Sequence, residues 1–151
     1  MKNDVTTNRL NDILKKTAPE KAEEYLEQFT ERDDPDKPFA TYMRKLLKEK
    51  GITQQEVFIA ADLSDSYGYK LISQEKHTKQ RDVIIRLCLA AKCTLKQADR
   101  ALKFYGMSPL YARIPRDAVL IIAFNKGIYE IADVDELLAA HDMEGLRKAE
   151  N

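Results

Sequence analysis

"LLKEKGITQQEVFIAADLSDSYGYKLI", Leu46–Ile72, decides how this chain folds. Going backwards, Phe39, Met43, Leu46 and Leu47 fall at i, i+4, i+7 and i+8, the single apolar stripe of an amphipathic helix, which Gly51 then ends as a left-handed C′ residue. Going forwards, Thr53 and Glu56 form a capping box: the hydroxyl accepts an orphan backbone N–H and the carboxylate reaches back to the cap. A helix therefore starts at Gln54 and runs to about Ala61. Ser64 is the cap for another, Asp65 to Ser73, anchored by Leu63, Leu71 and Ile72. Two short helices separated by a few residues, just after a longer one, have the outline of a helix-turn-helix.

The rest of the chain keeps the helical period, so an all-α fold is expected. Upstream, Leu10, Ile13 and Leu14 mark one short helix, and Tyr25, Leu26 and Phe29 a second, with Pro19 near its first turn. "ERDDPDKPF", residues 31–39, then reads as a linker; it lacks the alternating ligands, central glycine and closing glutamate of a calcium loop. Downstream, "RDVIIRLCLAAKCTLKQADRALKFYGMSPL" from Arg81 aligns with "RDAVLIIAFNKGIYEIADVDELLAAHDMEGL" from Arg116 with one inserted residue. Arg81 and Asp82 match Arg116 and Asp117, and Asp99, Leu102, Met107 and Leu110 match Asp135, Leu138, Met143 and Leu146. Each copy reads as a helical hairpin. The match also makes "AVLIIAF" a helix rather than a buried strand, because "VIIRLCLA" has helical spacing. The chain thus divides into an N-terminal helical arm and linker (1–38), a central unit (39–110) and a C-terminal hairpin (111–151), which packs on the centre as an added layer.

Charge follows the same seams. Residues 1–38 hold 7 basic and 10 acidic side chains (−3), residues 39–110 hold 13 and 7 (+6), and residues 111–151 hold 5 and 8 (−3). A basic centre between acidic ends is the electrostatic footprint of a polyanion binder. The motif helix supplies Asp65, Ser66, Tyr67, Tyr69 and Lys70 as the side chains facing DNA, since serine and aspartate serve base edges and tyrosine and lysine reach phosphates. The loop "QEKHTKQR" adds Lys76, His77, Lys79 and Arg81 beside the backbone.

Composition narrows the other classes. The two cysteines, Cys88 and Cys93, and two histidines, His77 and His141, offer neither a disulfide framework nor paired zinc ligands, so no metal or cofactor is expected. There is no glycine-rich phosphate loop, Gly-x-Ser-x-Gly elbow or His-Glu-x-x-His, which argues against an enzyme. No apolar run is long enough to span a membrane and the N-terminus lacks a signal-peptide pattern, so a cytoplasmic location is expected.

Residues Phe39–Leu110 resemble the lambda-repressor-like helix-turn-helix (XRE) family of bacterial and phage transcriptional regulators. "LLKEKGITQQEV" matches the end of its first helix and the start of its second, and "LSDSYGYKL" its turn and recognition helix. The longer string through "RIPRDAVLIIAFNKG" looks like a Gram-positive branch that carries an extra C-terminal hairpin. The resemblance implies a five-helix core, double-stranded DNA as partner, Gln54 with its neighbour Gln55 at the phosphate backbone, and a homodimer that meets successive major grooves about 34 Å apart. The acidic flanks would stay clear of the duplex. The sequence departs from the family pattern at Asp62 and Gln74, where glycine is usual, at Phe58, where a small alanine is usual, and at Ile72, where glutamate is usual. Gly68 falls inside the recognition helix and would weaken it by about 1 kcal/mol relative to alanine, leaving it short or frayed. The alternative is a non-enzymatic adaptor that keeps the fold without DNA contacts and binds a protein partner at the C-terminal hairpin. For residues 1–38 two roles stay open: packing on the core through Leu26 and Phe29, or a mobile dimerisation arm.

Overall fold

Caps and left-handed turns punctuate a chain that is helical throughout its described part. The computed structural model describes residues 7–29 and 36–149, with side chains from residues 8 to 26 and from 36 onward. The linker stretch at 30–35 and the Phe29 side chain therefore lie outside what is described. Among the described residues there are nine α-helices and no strand: α1 (Thr7–Lys16), α2 (Ala22–Phe29, entered through a 3-10 turn at Pro19–Lys21), α3 (Pro38–Lys50), α4 (Gln54–Ala61), α5 (Asp65–Ile72), α6 (Arg81–Ala90), α7 (Leu95–Phe104), α8 (Pro115–Lys126) and α9 (Ile131–Ala139). No described helix is long and apolar enough to cross a membrane.

The local signals act as their chemistry dictates. Thr53 Oγ1 accepts from the Glu56 N–H at 3.1 Å while Glu56 Oε1 accepts from the Thr53 N–H at 3.1 Å, which completes the capping box of α4. Thr94 and Gln97 form a second box at the start of α7. Gly51 ends α3 at φ 68°. Asp62 and Gln74, which stand where glycine was expected, have φ of 60° and 64°. The backbone thus keeps the left-handed geometry at both positions. Aspartate tolerates it through its short polar side chain, and Gln74 turns its own side chain to use, with Oε1 accepting from the Ala40 N–H at 3.1 Å near the start of α3.

Helix α6 is the axis of the molecule. Every residue from Asp82 to Ala91 is buried, so the helix is apolar almost all round, and α4, α7 and α9 pack against it. One hydrophobic cluster runs from Phe39 on α3 through α4–α7 to Val119, Leu138 and Leu146, continuous across the 110/111 seam.

The repeat has a geometry that its sequence does not announce. In both copies each helix closes with a six-to-one bond: Cys93 to Cys88 and Ile128 to Ala123, then Met107 to Leu102 and Met143 to Leu138. The left-handed residues coincide as well, Lys92 with Gly127 and Gly106 with Asp142. The two Arg-Asp pairs are exchanged: Arg81 grips Asp117 at 2.8 and 2.9 Å, and Arg116 grips Asp82 at 2.9 and 2.9 Å. Each arginine also donates to two carbonyls in the tail of its own copy, Ser108 and Pro109 for Arg81, Glu144 and Gly145 for Arg116. Each aspartate accepts a backbone N–H from the tail of the other copy, Tyr111 to Asp117 and Arg147 to Asp82. Reciprocal contacts of this kind are the signature of an isologous, two-fold arrangement. The hairpins α6–α7 and α8–α9 therefore face each other like a dimer within one chain. The added layer is a partner of the first hairpin, not the next rung of a solenoid.

Candidate nucleic-acid interface

The site is built on α5. Ser64 Oγ accepts from the Tyr67 N–H at 3.3 Å and opens the helix, and Asp65 in its first turn complements the positive end of the helix dipole. Its inner face is Gly68, Leu71 and Ile72, all buried. The opposite face carries Ser66, Tyr69, Lys70 and Ser73, which fall at i, i+3, i+4 and i+7 and so form one stripe.

Gly68 and Phe58 answer each other. A Cβ at position 68 would lie 2.4 Å from Phe58 Cδ1 and 2.7 Å from Cγ, so only glycine lets α5 come this close to α4. The large ring on α4 fills the space that the missing side chain on α5 leaves. Tyr69 then sets its ring edge-on to Phe58 at 4.8 Å, which fixes its direction while leaving it 49% exposed. The large ring and the missing side chain thus compensate each other, and α5 forms two regular turns rather than a frayed one.

The loop from Ser73 to Gln80 is held from below. Tyr105 on the α7 end stacks its ring on His77 at 4.6 Å and an interplanar angle of 12°, while its hydroxyl accepts from the buried Thr78 N–H at 2.8 Å. Burial raises the Tyr105 phenol above its ordinary value, with the Thr78 bond pulling the other way. The Lys76 N–H donates to the Lys70 carbonyl at 3.0 Å, and its ammonium lies 5.9 Å from the Tyr67 ring centroid. Lys76, His77 and Lys79 are all exposed, beside but not on the α5 stripe.

The sequence-predicted residues therefore separate into groups. Gln54, Ser66, Tyr69 and Lys70 line one cleft of about 700 Å³. Lys76, His77 and Lys79 form the cationic loop, with Tyr67 half-buried beneath Lys76; Arg81 does not join them, because its guanidinium is engaged by Asp117 and the Ser108 and Pro109 carbonyls. Asp65 and Gln55 are exposed but outside the cleft lining. Arg44 on α3 also lines the cleft and was missed; its only sequence signal is a basic side chain next to the Met43–Leu47 stripe. Glu23 and Glu24 of α2 line it too. The acidic N-terminal flank thus borders the face of α5 that carries Tyr69 and Lys70. Leu26 is half-buried, as packing of the arm would require.

No group of three or more His, Cys, Asp or Glu side chains that could hold a metal ion occurs among the described residues. In comparisons with known proteins, no family model, no curated protein and no solved structure matches this chain.

Proposed function

We propose that this protein binds double-stranded DNA in a sequence-specific way and acts as a transcriptional regulator, with α3–α7 as a five-helix lambda-repressor-like core and α4–α5 as its helix-turn-helix. One observation carries the reading: a capped two-turn helix whose apolar side is anchored and whose exposed stripe offers Ser66, Tyr69 and Lys70 beside Gln54. A recognition helix needs this division, because its outer side chains contact base edges and phosphates while its inner side chains fix its angle. Ser66 is the candidate base reader. Lys70, Tyr69, Gln54 and Gln55 serve phosphates, and Lys76, His77 and Lys79 flank them on the strand approached by the loop. Asp65 has two jobs in competition, accepting from a cytosine N4 amine or stabilising the helix start. On this reading the protein performs no catalysis and works as a dimer on paired half-sites.

The test is fluorescence anisotropy with a labelled random-sequence duplex pool at about 50 and 200 mM salt, beside a Lys70→Ala/Lys76→Ala/Lys79→Ala variant. Binding is expected to weaken steeply with salt, with a slope reduced by about two to three in the variant. No binding at low salt by a protein with an intact helical spectrum, whether Glu23 and Glu24 beside the cleft are kept or changed to glutamine, would refute the reading. The adaptor alternative would then take over, with exposed Tyr111, Ile114 and Ile122 on and before α8 as its first surface to mutate.

A further inference from the structure

The N-terminal arm brings carboxylates to the one place where a DNA-binding protein can least accommodate them. The segment Pro19–Phe29 contains four glutamates and one lysine. Two of those glutamates, Glu23 and Glu24, line the same cleft as Arg44, Gln54, Tyr69 and Lys70. Glu24 also meets Lys21 at 3.6 Å, in a pair that is exposed on both sides and screened by water. A major groove is about 12 Å wide and its phosphates must come within hydrogen-bond reach of Lys70 and Gln54. With α2 as one wall of the cleft, that approach is obstructed by bulk and opposed by charge.

We propose that α2 is an autoinhibitory arm: its acidic face occupies the phosphate-binding side of α5 and must be displaced for DNA to bind. This inference rests on the DNA-binding reading above. The carboxylates act as an intramolecular stand-in for phosphate, at an effective concentration set by the short connection to α3. DNA affinity is then the intrinsic affinity reduced by the fraction of molecules with the arm in place. Anything that neutralises or removes the arm raises affinity without touching a DNA contact.

The experiment uses the full chain in three forms: wild type, Glu23→Gln/Glu24→Gln, and Asp133→Asn/Glu136→Gln. The last makes the same charge change on exposed positions of α9, which packs on α6 and α8. Each is titrated against the labelled duplex pool at about 50 mM salt, after circular dichroism has shown equal helix content. The arm variant is expected to bind about three- to tenfold tighter than wild type, and the α9 variant within about twofold of it. At about 200 mM salt the gain shrinks, as screening of the carboxylates requires. Wild-type binding with no gain in the arm variant, or a gain that the α9 variant equals, would overturn the autoinhibitory arm and leave the DNA reading standing. Failure of all three to bind would overturn both.

Discussion

Replacing Gly68 by alanine tests the packing on which α5 depends. In an ordinary helix the change stabilises by about 1 kcal/mol, because alanine has the better propensity. Here the new Cβ would sit 2.4, 2.6 and 2.7 Å from Cδ1, Cε1 and Cγ of Phe58, distances that real Cβ atoms do not show. Phe58 has little room to yield: it is fully buried and its ring meets Tyr69 edge-on at 4.8 Å. Overpacking costs about 1–3 kcal/mol, and contacts this close put it at about 2–3 kcal/mol; less the propensity gain of about 1 kcal/mol, a net loss of about 1–2 kcal/mol is expected. Phe58→Ala alone opens a cavity worth about 3–5 kcal/mol. In that background Gly68→Ala relieves the collision and recovers its propensity, so it stabilises by about 1 kcal/mol. The double-mutant cycle should therefore show a coupling of about 2–3 kcal/mol. Urea unfolding followed by far-ultraviolet circular dichroism measures all four proteins. If Gly68→Ala stabilises the wild type, or the two changes add without coupling, the reasoning about α4–α5 packing is wrong.

Three further outcomes follow from the buried polar network. Arg86→Met leaves the carbonyls of Ala61, Leu146 and Arg147 without the donors they now have at 3.2, 2.7 and 2.8 Å, and should cost at least about 3 kcal/mol in urea unfolding. Asp117→Ala strands the Arg81 guanidinium and the Tyr111 N–H, with an expected loss of about 3 kcal/mol; a loss under about 0.5 kcal/mol would mean that the exchanged pairs are not what joins the hairpins. Burial pushes the Asp82 carboxyl up, but the bonds from Arg116 and Arg147 outweigh it and hold the group below its ordinary value. Its folded pKa is thus below the unfolded value of about 3.9, so its stabilisation is complete at neutral pH and fades as pH falls from about 4 through the folded value. Asp82→Asn should flatten the acid limb of a stability–pH profile measured between about pH 2.5 and 6, at the cost of lower stability at pH 7.

What the sequence made legible was short-range. Thr53 with Glu56, Ser64 before α5 and Gly51 after α3 act within one turn of themselves, so spacing alone reveals them. The apolar stripe of α3 and the recurrence of Arg-Asp at 81 and 116 were legible for the same reason: each repeats at a fixed interval. Asp62 and Gln74 were harder. They look like departures from a glycine pattern until the backbone shows both in the left-handed region, where a side chain with a local use is tolerated. The match of Gly68 to Phe58 links residues on two helices, and reading either alone makes each look like a defect. The exchange of Arg81 and Arg116 between copies depends on how two hairpins face each other, which no periodicity encodes. Arg86 is visible as a lone charge in an apolar run, but nothing nearby in sequence says that its partners are the end of α4 and the tail after α9. The position of Glu23 and Glu24 follows from the docking of the arm, where amphipathic spacing fits packing and dimerisation equally.

The distant hairpin has a mechanical bearing on the candidate interface. The direction of α5 is set by the turn that precedes it, and that turn begins where α4 ends, at Ala61 and Asp62. Arg86 holds the Ala61 carbonyl from inside α6 and with the same guanidinium holds the carbonyls of Leu146 and Arg147. Asp82, one turn earlier on α6, takes the Arg147 N–H and the Arg116 guanidinium. Lys148 meets Asp62 itself at 3.1 Å, an exposed pair of little strength alone but on the same path. The end of α4, the core of α6 and the tail after α9 are therefore joined by one set of charged and backbone groups, buried at Arg86 and more open toward Arg147 and Lys148. A buried charge is tolerated only where every donor and acceptor is matched, so this set has few alternative arrangements. The second hairpin thus completes the first and, through Arg86, fixes the turn from which α5 projects its polar stripe.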